Sequence, residues 1–261
     1  MVTLREGSRL EAGGVVGRQV ELRLLHHAVA LRRAVLFLGP PGVSKTTMLR
    51  ALAEELGTGP DLFHWVTGDE QISAHALVGT FDPGLTLREG YHPEHFQPGP
   101  LVRAMRAGGI LYVEELNRAP SSALNVLLTS LSEGYLEVPH LGRVEAAPGF
   151  MVVGAANPFD DVGTARLSRG LLDRFLVVQV DYQSRGEEIE IVRRRSRAEL
   201  PKLCALAVDL ARRTRGHPDL RNGASVRAAI DLVELVAAHL EATTGRHGAG
   251  RARLDRQELR S

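Results

Sequence analysis

Two stretches of this chain hold residue types that, together, do phosphate chemistry. "GPPGVSKTT" (39–47) ends in an amine and two hydroxyls, and it matches GxxxxGK[ST] except that Ser44 stands where the second glycine would. "GILYVEELNRAP" (109–120) is an apolar run that stops in two adjacent acids, Glu114 and Glu115. Paired carboxylates at the end of a buried strand are costly unless something cationic meets them. In the first stretch, small residues let backbone N–H groups curl around phosphate oxygens, and the helix that follows points its positive end at them. Lys45 supplies a point charge to the outer phosphates, and the Thr46 hydroxyl reaches Mg²⁺. Gly39, Pro40, Pro41, Gly42, Val43, Ser44, Lys45, Thr46 and Thr47 are therefore the expected nucleotide contacts. Glu114 is expected to hold the metal, through water, together with Thr46, and Glu115 to polarise an attacking water as general base. The plainer alternatives are a βα turn with a spare lysine, and acids that face solvent or cap the helix beginning near Pro120. Ser44 adds a Cβ but stays small, so phosphate binding is expected to survive. Glu114 is the larger departure, because such sites normally open with Asp and Mg²⁺ demands near-octahedral geometry.

These residues need a phosphate strand and, beside it, a second strand that ends in the acids. Five short apolar runs supply candidates: 34–39, 62–67, 109–114, 150–156 and 175–181. Each is rich in Val, Leu or Phe and ends in Gly, Asp, Glu, Ala or Thr, as strands buried on both faces of a parallel sheet do. Helical patterns lie between them. Residues 46–56 end at Gly57, and residues 121–133 put Leu124, Leu127, Leu128 and Leu131 on one face before Gly134. Alternating strand and helix implies an α/β domain with a five-stranded parallel sheet between helices. After Asp181 no strand signal returns. Residues 186–197, 200–215 and 224–243 all read as helices, so 1–181 is expected to be the nucleotide-binding domain and 182–261 a small all-helical lid. "TTGRHGAGR" (243–251) is Gly-rich and expected to be flexible.

Composition narrows the partners. Hydrophobic residues make up 44% and charged residues 24%, ordinary for a soluble globular chain. Lys and Arg number 32 against 31 Asp and Glu, which argues against a dedicated nucleic-acid binder. The single cysteine, Cys204, sits in an apolar helical pattern and reads as a small core residue. No apolar run approaches a membrane span, and "MVTLREGSRL" lacks a signal-peptide core, so a cytoplasmic protein is expected.

Taken together, "GPPGVSKT", "ILYVEELNRAP" and "NPFDDVGTARLSRGLLDRF" resemble the AAA+ ATPases and, within them, the MoxR-type family, relatives of the magnesium-chelatase ATPase subunit. The resemblance runs from about Val16 to about Arg227. The family pattern at the second stretch is Asp-Glu, then Ile or Val, then Asn-Arg-Ala; here it is Glu114-Glu115-Leu116-Asn117-Arg118-Ala119. The resemblance implies backbone contacts from Val16 and Gly17 to adenine, and an Asn157 side chain that orients the attacking water. It implies an arginine finger at Arg174 acting on the neighbouring subunit, and a sensor arginine of the lid at Arg227. Lys45, Glu115, Asn157 and Arg174 thus form the expected catalytic group. The Gly- and Pro-broken segment at about 68–100 looks like the insert in the second helix of this branch, and about 135–150 like its hairpin. Phe81, Tyr91 and Phe96 are expected to pack within the insert, and the two histidines of "HPEH" (92–95) to be solvated loop residues rather than metal ligands.

The function implied by that resemblance is ATP binding and hydrolysis with Mg²⁺, driving remodelling or assembly of a partner protein or metalloenzyme complex. It also implies a ring, with a hexamer expected, and a partner containing a von Willebrand factor A domain. A nucleotide-dependent switch with weak turnover stands beside it, motivated by Glu114. A DNA-linked motor is the third reading, against which count the balanced charge and the absence of an appended helix-turn-helix module.

Overall fold

The five apolar runs become five parallel strands in a computed structural model that describes residues 14–57, 59, 62–158, 167–197, 200–220 and 222–258, with side chains as far as 243. In chain order the first unit holds α1 (Gln19–Ala30), β1 (Ala34–Leu38), α2 (Lys45–Glu55), β2 (Phe63–Thr67), α3 (Ala74–Val78), β3 (Gly79–Phe81), α4 (Pro83–Glu89) and β4 (Phe96–Pro98). It continues with α5 (Pro100–Ala107), β5 (Ile110–Glu114), α6 (Ser121–Glu133), β6 (Tyr135–Val138), β7 (Gly142–Glu145), β8 (Met151–Ala156), α7 (Arg169–Leu172) and β9 (Phe175–Gln179). The sheet order is β2-β5-β8-β1-β9, every pair parallel.

That order corrects one expectation: β8 lies between β1 and β5, so the acid-bearing strand is one removed from the phosphate strand. Burial explains it. β8 is buried at all six positions, so its backbone groups need a strand on each side, whereas β2 and β9 are partly exposed and take the edges. The register aligns the strand ends, pairing Leu38 with Ala156 and Val113 with Gly154, so the loop after β1 and the acids after β5 share one edge of the sheet.

Short capped elements fill the segment between β2 and α5. Asp82 accepts hydrogen bonds from the N–H groups of Gly84 and Leu85 at 2.9 and 3.0 Å, with Pro83 opening α4. β3 and β4 pair antiparallel, and β6 and β7 form a hairpin. Phe81 meets the rings of Tyr91 at 5.1 Å and Phe96 at 5.2 Å, and Tyr91 stacks on His140 at 3.8 Å. The histidines of "HPEH" differ from expectation in one respect. His95 is buried, its ring nitrogens facing the Gly90 carbonyl at 3.2 Å and the Glu89 carboxylate at 3.3 Å. Hydrogen-bond partners within the insert replace the water that a loop residue would otherwise need. No metal-holding cluster of His, Cys, Asp and Glu occurs among the described residues.

The second compact unit starts at Tyr182 and is all helical: α8 (Arg185–Arg195), α9 (Pro201–Arg215) and α10 (Val226–Glu258). A Ser184–Glu187 capping box starts α8. Val192, Cys204, Val208, Val226 and Val233 form its core. Glu188 is fully buried there, held by Arg212 at 2.9 Å and Arg215 at 2.6 Å. The backbone of α10 continues as helix through 243–251, where flexibility was expected. Each glycine there costs about 1 kcal/mol of helix propensity, and the interleaved Ala and Arg residues are strong helix formers. No helix among the described residues is long and apolar enough to cross a membrane.

Candidate nucleotide site

The phosphate loop leaves β1 at a point where only glycine fits. A Cβ on Gly39 would overlap the Val180 carbonyl oxygen, while Gly39 N–H donates to the Ala156 carbonyl at 3.1 Å. Gly42 has φ +80 and Ser44 φ +70, both left-handed, with Val43 fully buried between them. Such a curl ahead of a helix gathers successive N–H groups on one concave side. α2 then begins at Lys45, and its first-turn N–H groups have no intrahelical acceptors.

Lys45 folds back onto the loop, its Nζ donating to the carbonyls of Gly39 at 2.5 Å and Pro40 at 3.0 Å. Burial lowers its pKa to about 8, against the opposing pull of Glu114 and Glu115. One residue on, the Thr46 hydroxyl donates to Glu114 Oε1 at 3.0 Å, and the same hydroxyl lies 3.4 Å from the Tyr112 hydroxyl. The strand period of two puts Tyr112 and Glu114 on one face of β5, and that face meets the start of α2.

Glu115 begins a 3₁₀ turn, Leu116–Arg118, and adopts φ 53, ψ 40. A left-handed conformation costs a non-glycine residue roughly 1–2 kcal/mol, and such outliers gather at functional sites. Its carboxylate is paired with Arg118 at 3.1 Å, both side chains partly exposed. Gly68 packs beneath the acids, its N–H donating to the Glu114 carbonyl at 2.6 Å, and a Cβ there would press on the Glu115 carbonyl at 2.7 Å. Asn117 is buried and its side-chain amide donates to the Asn157 carbonyl at 3.1 Å, tying the acid turn to the end of β8.

The structure therefore brings Lys45, Thr46 and Glu114 together, with Glu115 and Asn157 on the neighbouring turn and strand end. Val16 is half-buried and Gly17 buried with φ +67; the next residue, Arg18, hydrogen-bonds the Asp181 carbonyl and pairs with Glu21 at 2.8 Å. Arg174 is exposed and bonds Ser132 Oγ at 3.0 Å and the Gly170 carbonyl at 3.1 Å. Arg227 lies exposed in the first turn of α10, in the helical unit. Residues 159–166, within the stretch that carried the family resemblance, lie outside the described residues. Sequence reasoning missed Tyr112 as a polar neighbour of Thr46 and Gly68 as the floor under the acids. Strand alternation from Glu114 back to Tyr112 was the available signal for the first; nothing in the spacing marks the second.

The donor set fits a magnesium nucleotide. A hydroxyl and a carboxylate 3.0 Å apart are hard oxygen ligands, and a lysine ammonium with a helix N-terminus matches a polyphosphate.

Comparison with known proteins gives a consistent picture. The profile of the AAA domain (dynein-related subfamily) matches residues 34–175. An uncharacterized protein of Staphylococcus haemolyticus is 32% identical over 212 residues, 79% of either chain. One of Staphylococcus saprophyticus is 31% identical over 211 residues, 78% of either chain. Among solved structures, a Thermotoga maritima RuvB variant superposes with a TM-score of 0.59 at 20% identity, covering 88% of this chain and 66% of that one. This likeness concerns the fold alone. So does that of a protein from Cytophaga hutchinsonii, at 18% identity and a TM-score of 0.54, where 85% of this chain spans 58% of the other. A cryo-electron-microscopy structure of the complex between subunits BchI and BchD of magnesium chelatase matches at 28% identity and a TM-score of 0.52, over 74% of this chain and 68% of that one.

Proposed function

We propose that this chain, which belongs to the AAA domain family (dynein-related subfamily), binds Mg-ATP at the loop after β1 and hydrolyses it to drive remodelling or assembly of a partner protein. The observation that carries the reading is the 3.0 Å hydrogen bond from Thr46 to Glu114, made beside Lys45 at the N-terminus of α2. Glu114 occupies the place of the usual Asp, and its extra methylene still leaves the carboxylate in reach of the Thr46 hydroxyl. Mg²⁺, when bound, neutralises phosphate charge and fixes the outer phosphates for attack. Lys45 holds the phosphate oxygens with its ammonium, and the loop N–H groups exclude bulk water from that side. Glu115 takes a proton from the attacking water, oriented from the end of β8 by Asn157.

The finer assignment we propose is a MoxR-type ATPase acting as a hexameric ring, with Arg174 completing the neighbouring subunit's site. Val16 and Gly17 then lie against adenine, and Arg227 answers from the helical lid. The similarity to a chain of the BchI–BchD complex supports work in company with a partner subunit. A von Willebrand factor A domain protein is the partner we propose, in the cytoplasm. A specific observation favours a second reading, a nucleotide switch with weak turnover: one oxygen of the Glu115 carboxylate is engaged by Arg118 at 3.1 Å, a contact that competes with an attacking water.

Steady-state phosphate release from wild type, Glu115→Gln and Glu114→Asp at saturating Mg-ATP separates the two. Hydrolysis predicts a loss of about 10²–10⁴-fold in Glu115→Gln with nucleotide binding kept, while Glu114→Asp stays active. Equal rates for wild type and Glu115→Gln would leave the switch.

A further inference from the structure

Tyr112 is fully buried in the centre of β5, where a phenylalanine would fill the same space without a polar atom to satisfy. Its hydroxyl ends 3.4 Å from Thr46 Oγ1, which in turn donates to Glu114 Oε1 at 3.0 Å. The direction of the first contact follows from counting protons. A threonine hydroxyl has one hydrogen, and the Glu114 carboxylate, an acceptor only, takes it. The Tyr112 hydroxyl must then be the donor at the Tyr112–Thr46 contact. A tyrosine phenol carries its one hydrogen at neutral pH, so it has one to give. The Thr46 hydroxyl is thereby pinned on two sides, its hydrogen given to Glu114 and one lone pair taken by Tyr112. Its remaining lone pair is the one left for a cation.

We infer that Tyr112 is a positioning residue for the metal, fixing the rotation of the Thr46 hydroxyl through a Tyr112–Thr46–Glu114 relay. The inference rests on the Mg-nucleotide reading of the site and names a part of it that the phosphate-loop and acid motifs do not contain. Tyr112 touches neither phosphate nor water in this account, and it acts only through Thr46.

The test is Tyr112→Phe, read by binding of a fluorescent ADP analogue in EDTA and in a Mg²⁺ titration. We expect unchanged affinity in EDTA and a Mg²⁺ half-saturation raised about fivefold, the size of one lost buried hydrogen bond. Unchanged Mg²⁺ dependence overturns the inference. Equal weakening with and without Mg²⁺ also overturns it, because a packing defect spreads to both conditions. A wild-type protein that binds no nucleotide in either condition overturns the nucleotide-site reading itself, and the relay with it. The EDTA arm therefore distinguishes failure of the site from failure of the relay.

Discussion

At Lys45 burial outweighs the attraction of two carboxylates, and the ammonium pKa falls from 10.5 to about 8. The folded apo protein therefore gives up this proton before the unfolded chain does. Below pH 8 the whole cost of holding a buried ammonium is present; between about 8 and 10.5 it is relieved, so this group makes stability rise with pH. Lys45→Met is expected to raise the urea midpoint of the apo protein at pH 7, and the gain to shrink by pH 10. A gain that is constant across that range would show that the lysine is not charged against its surroundings. Residues of this kind were readable in part. The order glycine, lysine, threonine identifies the loop, and two adjacent acids identify the turn after β5. The Thr46–Glu114 hydrogen bond was not readable, because it depends on which strands are neighbours in space. The Arg118 pair with Glu115 was also hidden, since three-residue spacing joins side chains only once a 3₁₀ turn is known to be there.

At the scale of elements, Ser44 is where sequence and backbone disagree. It stands immediately before α2 with φ 70, ψ 18, in the position where the motif has glycine. The L side chain pays roughly 1 kcal/mol or more for that conformation. Ser44→Gly is expected to stabilise the protein by about 1 kcal/mol, less the greater chain entropy glycine carries in the unfolded state. Thermal unfolding of the two proteins measures this, and a lower midpoint for the glycine variant would remove the strain argument. The strands themselves were legible to within a residue or so, because three of them are apolar at nearly every position. Their order was not legible. β8 comes late in the chain yet takes the centre of the sheet, and only its complete burial, seen in three dimensions, explains why. The insert was recognisable as irregular, but its aromatic packing onto His140 joins residues that are distant in sequence.

For the molecule as a whole, the proposed ring makes Arg174 the informative residue. Its guanidinium is exposed and bonded to Ser132 Oγ and the Gly170 carbonyl, bonds that the proposed ring would exchange for contacts with a second subunit. Arg174→Ala and Glu115→Gln are each expected to lose turnover alone, and a mixture of the two to recover a measurable share. Recovery follows because an Arg174→Ala subunit keeps Glu115, and an adjacent Glu115→Gln subunit supplies the finger, worth roughly 10³–10⁵ in rate. No recovery after mixing and reassembly would mean that Arg174 does not act across a subunit boundary. Trp65 is the only tryptophan in the sequence; it meets Tyr112 edge to face at 5.3 Å, and Arg50 lies 4.9 Å over its ring. In optical terms the site carries its own chromophore, one side chain removed from Thr46, and its indole emission reports a single known position without any attached dye.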